Sequence, residues 1–361
     1  MGTRSERERK RKVNIWIILA ILIPSIIAGA RDEAIGTDTL TYGIPLFRTA
    51  NNRNFMEYMM AGGAEPLYMI FVYLVAIFTN DVFWELFIIE FVCLLFTYKG
   101  LKSAGLKQYV WIGFLVYHLM YYSFSLNLMR QFMCLSILLY AFKFVRNSDF
   151  KKYFIIVILL CFIQRTSIVG VFIYPIYHIC YTDSIKNGVI RRFATKYRVL
   201  FEIFIILSTC LVISLSSFLI KDISSLLPNY AVHMSNMMNT NHRIIWRNVY
   251  YMVAIIIPLF LYKNILTHVD GNFEFYFIML IVSAILWQLQ GVSTEVYRIS
   301  FYFGYYIILA VPTIISKGKR FLDKVLIFTY YLVIMLLYNY DYFVIHLYNQ
   351  TYPYTSKLLG I

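Results

Sequence analysis

Charge is scarce in this chain. Asp, Glu, Lys and Arg make up only 14% of its residues, where a soluble globular chain carries about 25%. That shortage excludes an ordinary soluble domain. Cysteine is sparse as well. Cys93, Cys134, Cys161, Cys180 and Cys210 all fall in apolar runs without metal-ligand spacing, so they read as packing residues. There is no P-loop, no GxGxxG and no GxSxG, which removes the phosphate-cradling loops and the hydrolase elbow. No repeat of fixed period and no long low-complexity tract is present.

What the chain does have is apolar surface. It is 60% hydrophobic and 19% aromatic over 361 residues, with a mean hydropathy of +0.65. Runs long enough to cross a bilayer recur from Val13 to Tyr338. They are continuous rather than alternating, which argues against a β-barrel. The expectation is an all-α polytopic integral membrane protein of about 11–13 transmembrane or half-membrane helices. The segments are 13–30, 66–79, 82–98, 109–127, 129–145, 153–165, 166–181, 199–220, 248–262, 274–290, 297–315 and 321–339.

The net charge of +14 would point to nucleic acid in a soluble protein. Here the basic residues gather in the N-terminal tail, "YKGLKSAGLK", "KFVRNSDFKK", "KNGVIRRFATKYR" and "SKGKRFLDK". Positive-inside topology accounts for them, and no nucleic-acid partner is expected. "RSERERKRK" precedes the first apolar run without a small-residue cleavage site after it, so a retained first helix is expected. The division is a cytoplasmic tail over 1–12, one transmembrane domain over 13–340, and an outward tail over 341–361. Outer loops span 31–65 and 221–247. One count does not close. Three crossings separate two clusters that both want the inside, so either 66–98 is one bent crossing or 31–65 hides a re-entrant element.

The ionisable residues left outside the basic loops then share one side. They are Asp38, Glu65, Arg130, Arg165, His233, His242, Arg243, Arg247, Glu295 and Arg298. Arg130 with Gln131 interrupts "NLMRQFMCLSI", where a cation is costly unless it reaches the interface or a partner. Arg165 follows Gln164 in "CFIQRTSIVG", where Thr166 and Ser167 offer a cap to a new short helix. Arg298 opens "YRISFYFGYYIILAVP", a place suited to binding an anion jointly with a helix dipole. Asp38 reads by itself as a turn or capping residue, and Glu65 before Pro66 as a helix start. Glu85 and Glu90 sit within an apolar helix and call for a cation inside the bundle. Among outer tyrosines, Tyr42, Tyr230 and Tyr302 are placed to stack on a sugar ring, structural packing being the commoner use. The histidines make no metal motif, and no metal is expected. Arginines in excess of carboxylates point to an anionic ligand, since guanidinium matches phosphate and carboxylate geometry.

Five short patterns fall in one order: "GTDTLTYGIPLF", "EPLYMIFVYLV", "LMRQFMCLSILLYAFKFV", "CFIQRTSIVGVFIYPIY" and "YRISFYFGYYIILAVP". Together they resemble the EpsG/Wzy-type polysaccharide polymerases of capsule, O-antigen and exopolysaccharide synthesis. Two positions depart from the pattern: Gln164-Arg165 stands where a histidine pair is usual, and Leu67 where glycine is common. The resemblance implies a membrane glycosyltransferase with a GT-C-like helical bundle in the bacterial cytoplasmic membrane, its active site facing outward. Donor and acceptor would be repeat units on undecaprenyl pyrophosphate, with no cofactor and with a chain-length regulator as a candidate partner. In that setting Arg130, Arg165 and Arg298 are expected to hold the pyrophosphate, with Arg243 a weaker fourth and Gln131, Gln164, Tyr42 and Tyr302 on pyrophosphate or sugar. Asp38 and Glu65, with His242 third, are expected as the base on the acceptor hydroxyl. A lipid-linked glycan carrier or a glycan ligase would use the same arginines. A membrane acyltransferase would want a histidine deep in a helix, and only His118 and His178 come near one.

Overall fold

The computed structural model describes residues 15–180, 251, 253–258, 272–287 and 294–361. The expectations placed on Tyr230, His233, His242, Arg243 and Arg247, on the tail 1–12 and on the loop 221–247 lie outside the described residues, as do Cys210 and the Glu295 side chain.

The regular structure among the described residues is helical. α1 (Ile15–Ala30) is followed by a π-helical turn at Thr39–Gly43 and two short helices, α2 (Ile44–Asn52) and α3 (Phe55–Ala61). Then come α4 (Pro66–Phe78), α5 (Phe83–Ser103), α6 (Val110–Met120), α7 (Tyr122–Asn127), α8 (Met129–Arg146) and α9 (Phe150–Cys161). A 3-10 stretch at Arg165–Phe172 leads to α10 (Ile173–Cys180). The last part holds α11 (Asn272–Trp287), α12 (Thr294–Gly304), α13 (Ile307–Lys317) and α14 (Phe321–Asn339). Starts follow local chemistry. Asn54 caps α3 by accepting from the Glu57 N–H, Asp149 caps α9 through Lys152, and Pro66 takes the first position of α4.

α5 is the central element, packed against α1 on one side and α8 on another. Apolar surface gains little by leaving lipid, so association in a membrane rests on close approach at small residues. Such approaches are present. A Cβ on Gly29 would lie 2.9 Å from the Phe83 carbonyl oxygen, and one on Gly113 would lie 2.5 Å from Leu101. Gly29 is at the end of α1 and Phe83 at the start of α5, so the two helices run antiparallel. Thr97 lies 3.5 Å from Ser136, and Gly100 packs on Leu139, so α5 and α8 run parallel. Cys93, Cys134 and Cys180 are buried, and the four described cysteines are all free thiols in apolar packing.

α4 approaches the first turns of α5. Tyr68, in its first turn, bonds Glu85 at 2.8 Å, while Phe78, at its end, shares a cleft with Trp84. The start of α4 is thus tied to the first turn of α5 by a hydrogen bond, and the rest of the helix borders an apolar cleft beside it. The basic loops also converge. Arg146 reaches the Ser103 carbonyl at 2.5 Å, and Lys324 approaches Tyr109 at 3.4 Å.

The stretch 341–361 does not trail away from the bundle. Asp32 N–H donates to the Thr355 carbonyl (3.1 Å), Gly36 N–H to that of Gln350 (3.3 Å), and Lys357 N–H to the Asp32 carboxylate (2.9 Å). Tyr354 and Ser356 hydroxyls bond the carbonyls of Ile27 and Ala30 at the end of α1. The outside of the bundle is apolar. α14 presents Leu322, Leu326, Val333, Leu336 and Leu337 outward, with Leu322 63% exposed. Among the described residues, two spans, Tyr297–Lys317 and Phe321–Ile345, meet both the length and the hydropathy of a membrane crossing.

Candidate functional site

Glu65 stands at the start of α4 but does not cap it; its side chain makes no bond to the helix. It turns instead to Arg130, in the first turn of α8, and forms a close ion pair there. Its other oxygen accepts from the Arg165 N–H at 3.1 Å. The Arg130 guanidinium lies 5.2 Å from the Tyr42 ring centre and 5.4 Å from that of Tyr68, within cation–π range. Tyr68 is fixed in turn by its bond to the buried Glu85.

A second pair stands beside the first. Arg298 approaches the Asp38 carboxylate at 3.5 Å. Asp38 is placed by Asn127, whose side-chain oxygen accepts from the Asp38 N–H (2.8 Å) and the Thr37 hydroxyl (3.0 Å). The Asn127 amide then donates to Asn349 at 3.2 Å, so the C-terminal stretch supports the loop that carries Asp38. Gln131 donates to the Arg298 carbonyl at 2.7 Å and ties α8 to α12. Burial and the neighbouring Asp38 carboxylate push the Tyr42 phenol well above its ordinary value, so it stays protonated.

These groups line one cavity of about 30 Å3: Asp38, Tyr42, Leu128, Met129, Arg130, Gln131, Gln164 and Arg298. Six of the expected residues thus meet on its wall, with Glu65 directly behind Arg130. Arg165 takes part through its backbone; its side chain is 87% exposed at the rim, 4.0 Å from Glu65.

The structure alters several local expectations. Tyr302 is 1% exposed, and its hydroxyl lies 2.9 Å from that of Thr166 and 3.3 Å from that of Ser167. It pins α12 to the Arg165–Phe172 stretch and offers no face to a sugar. Thr166 and Ser167 serve that contact and do not cap a helix. Arg298 lies inside α12, which begins earlier, at Thr294, so it is not at the helix start. Glu85 and Glu90 are held by hydroxyls: Tyr68 on the first, and Tyr117 (2.6 Å) with Ser125 (2.8 Å) on the second. The buried cation nearest them in charge is Arg31, which bonds Thr39 at 3.0 Å and the Leu126 carbonyl at 2.9 Å. Sequence reasoning missed Arg31, Tyr68 and Asn127. A lone amide in the apolar run before Arg130 was the available signal for Asn127. Among the described residues, no group of three His, Cys, Asp or Glu is arranged to hold a metal ion.

Compared with family models, residues 14–356 match that of the EpsG family. The chain belongs to the EpsG family. It is a membrane protein of polysaccharide-polymerase type. No curated protein and no solved structure matches it. Within this EpsG chain the five ordered patterns supply the site in turn. The first brings Asp38 and Tyr42, the second Glu65 and Tyr68, the third Arg130 and Gln131, the fourth Gln164 and the Arg165 N–H, and the fifth Arg298. Of the two departures, Gln164 lines the cavity.

Proposed function

We propose that this EpsG-family chain is a GT-C-like glycosyltransferase that polymerises lipid-linked glycans. It transfers a growing glycan from undecaprenyl pyrophosphate to the non-reducing end of another lipid-linked repeat unit, without a metal, at the outer face of the bacterial cytoplasmic membrane. One observation carries the reading: four of the five patterns line a single cavity and the second sets Glu65 behind it, with Arg130 and Arg298 on its wall and a carboxylate held against each. The cavity lies at the ends of α1 and α8 away from the Ser103–Arg146 contact where basic loops gather, which supports an outward-facing site.

The leaving pyrophosphate gains charge as the glycosidic bond breaks, and cations fixed beforehand stabilise that charge. Arg130 and Arg298 do this. Arg165, exposed at the rim, closes on the same phosphates. The acceptor hydroxyl passes its proton to a carboxylate. Asp38 takes this role because it lines the cavity, while Glu65 stands behind Arg130 and orients it. Phosphate drawn to Arg298 loosens that side chain's hold on Asp38 and frees the carboxylate to face the acceptor.

The test incubates purified protein with defined lipid-linked repeat units and separates the products on a gel. A ladder is expected. A single transfer would make the chain a ligase, and no covalent change would make it a carrier. Arg130→Ala should remove about 2–4 kcal/mol of transition-state stabilisation. Arg130→Lys should recover only part, because an ammonium lacks the two-pronged geometry of guanidinium. Full-length polymer from Arg130→Ala, in cells lacking the parent and at equal protein level, would sink the role given to Arg130.

A further inference from the structure

Arg31 follows the last residue of α1 and is buried, only 6% exposed. A buried cation ordinarily sits against a carboxylate. This one directs its donors to four neutral acceptors instead. Its Nη1 donates to the Ala28 carbonyl (3.2 Å), and its Nη2 to the Thr39 hydroxyl (3.0 Å), the Leu126 carbonyl (2.9 Å) and the Met129 sulfur (3.1 Å). Those acceptors belong to three segments: the end of α1, the π-helical turn after Asp38, and the break between α7 and α8. Leu126 is in the last turn of α7, among the carbonyls that a helix leaves for side chains to satisfy.

Each Nη2 contact falls one residue from a member of the site. Thr39 adjoins Asp38, and Met129 adjoins Arg130. Leu126 adjoins Asn127, which accepts from the Asp38 N–H. The Thr39 hydroxyl also donates to the same Leu126 carbonyl, at 3.2 Å. The two segments approach closely. A Cβ on Gly36 would stand 3.0 Å from the Leu126 carbonyl oxygen, and one on Gly43 2.9 Å from the Met129 methyl. Arg31 itself does not line the cavity. It joins the backbone that carries the carboxylate to the backbone that carries the cation. The Arg130 guanidinium, by contrast, has holds of its own in Glu65 and in the rings of Tyr42 and Tyr68.

We propose that Arg31 is a positioning residue for the transfer, fixing the Asp38 carboxylate at its working distance from the Arg130 guanidinium. This assignment rests on the reading of Asp38 as the base and of Arg130 as a phosphate ligand. Reacting groups tolerate little displacement: about 1 Å can cost about a hundredfold in rate. Anion binding is less exacting, since Arg130 keeps its own partners when Arg31 is changed. Loss of Arg31 is therefore felt in turnover and not in the hold on phosphate. The role also calls for guanidinium. A planar fork reaches several acceptors at once, and an ammonium on a flexible stem reaches fewer of them in one geometry.

The experiment measures two quantities on the full chain in detergent: the initial rate of glycan transfer at saturating lipid-linked repeat unit, and the affinity for inorganic pyrophosphate. Arg31→Met should slow transfer about tenfold to a hundredfold and leave pyrophosphate affinity within about twofold. Arg31→Lys should restore part of that rate. Thr39→Val removes one acceptor, leaves the cation in place and should also slow transfer. The double variant Arg31→Met/Thr39→Val should be no slower than Arg31→Met alone, because both changes cut the same tie. Should Arg31→Met not assemble, Thr39→Val and Arg31→Lys carry the test. Parent rate in Arg31→Met or in Thr39→Val would overturn the role. So would a pyrophosphate affinity that falls in step with the rate, or losses that multiply in the double variant, since both mark a residue that only supports the bundle. If Asp38→Asn transfers as the parent does, or Arg130→Ala holds pyrophosphate as the parent does, the reading of the cavity is wrong and the role of Arg31 falls with it. If both of those variants fail as expected and Arg31→Met matches the parent, the role of Arg31 alone is lost.

Discussion

Glu65 illustrates what a residue-level reading can and cannot reach. Its position before Pro66 is visible in the sequence and correctly marks the start of α4. Its partner is not visible, because Arg130 comes from a helix far along the chain. The same holds for Asp38 and Arg298. Each charge announces itself, since an ionisable group in an apolar run needs a reason. Pairing is decided by the packing of α4, α8 and α12, and no local pattern encodes that. Tyr302 shows the converse. An aromatic beside an arginine looks available to a sugar, yet its ring is sealed and its hydroxyl is satisfied. Tyr302→Phe should therefore lower thermal stability in detergent by about 1–2 kcal/mol, the usual effect of losing a buried hydrogen bond. The length distribution of the product should not change, and a shortened ladder at unchanged stability would restore the stacking role.

At the scale of elements, the apolar runs predicted most helices well because a lipid-facing helix needs continuous hydrophobicity over its length. The expected 66–79, 129–145 and 321–339 became Pro66–Phe78, Met129–Arg146 and Phe321–Asn339. What hydropathy does not show is which contacts a helix makes: α4 reads simply as an apolar run, and its Tyr68 is tied to Glu85 in the first turn of α5. The C-terminal stretch was equally opaque. Its sequence, "YNQTYPYTSKLLGI", carries no apolar period, and its order comes from backbone bonds to Asp32 and Gly36 and from Asn349 on Asn127. Each such bond is worth about 1 kcal/mol, and the last of them bears on the loop that presents Asp38. Deleting residues 348–361 should leave a chain that inserts normally but makes far less polymer. Membrane fractionation together with the gel assay checks both halves; full activity in the shortened chain would show that Asp38 is positioned without it.

For the whole molecule, the exposed apolar faces matter most. A soluble protein does not display a helix such as Phe321–Asn339 with most of its large side chains outward. In lipid that face costs nothing, but a charge on it does. Val333→Arg, near the middle of the helix and 47% exposed, should raise the apparent free energy of insertion by about 2.5–3.5 kcal/mol. Insertion assays on the segment will register the shift, and an unchanged value would place this face away from lipid. The Asp38–Arg298 pair has another consequence, one of timing. A ribosome delivers Asp38 early and Arg298 only after most of the helices are made, so the carboxylate waits through nearly the whole of synthesis for its cation. An interrupted chain, however well inserted, carries the carboxylate without the guanidinium that answers it.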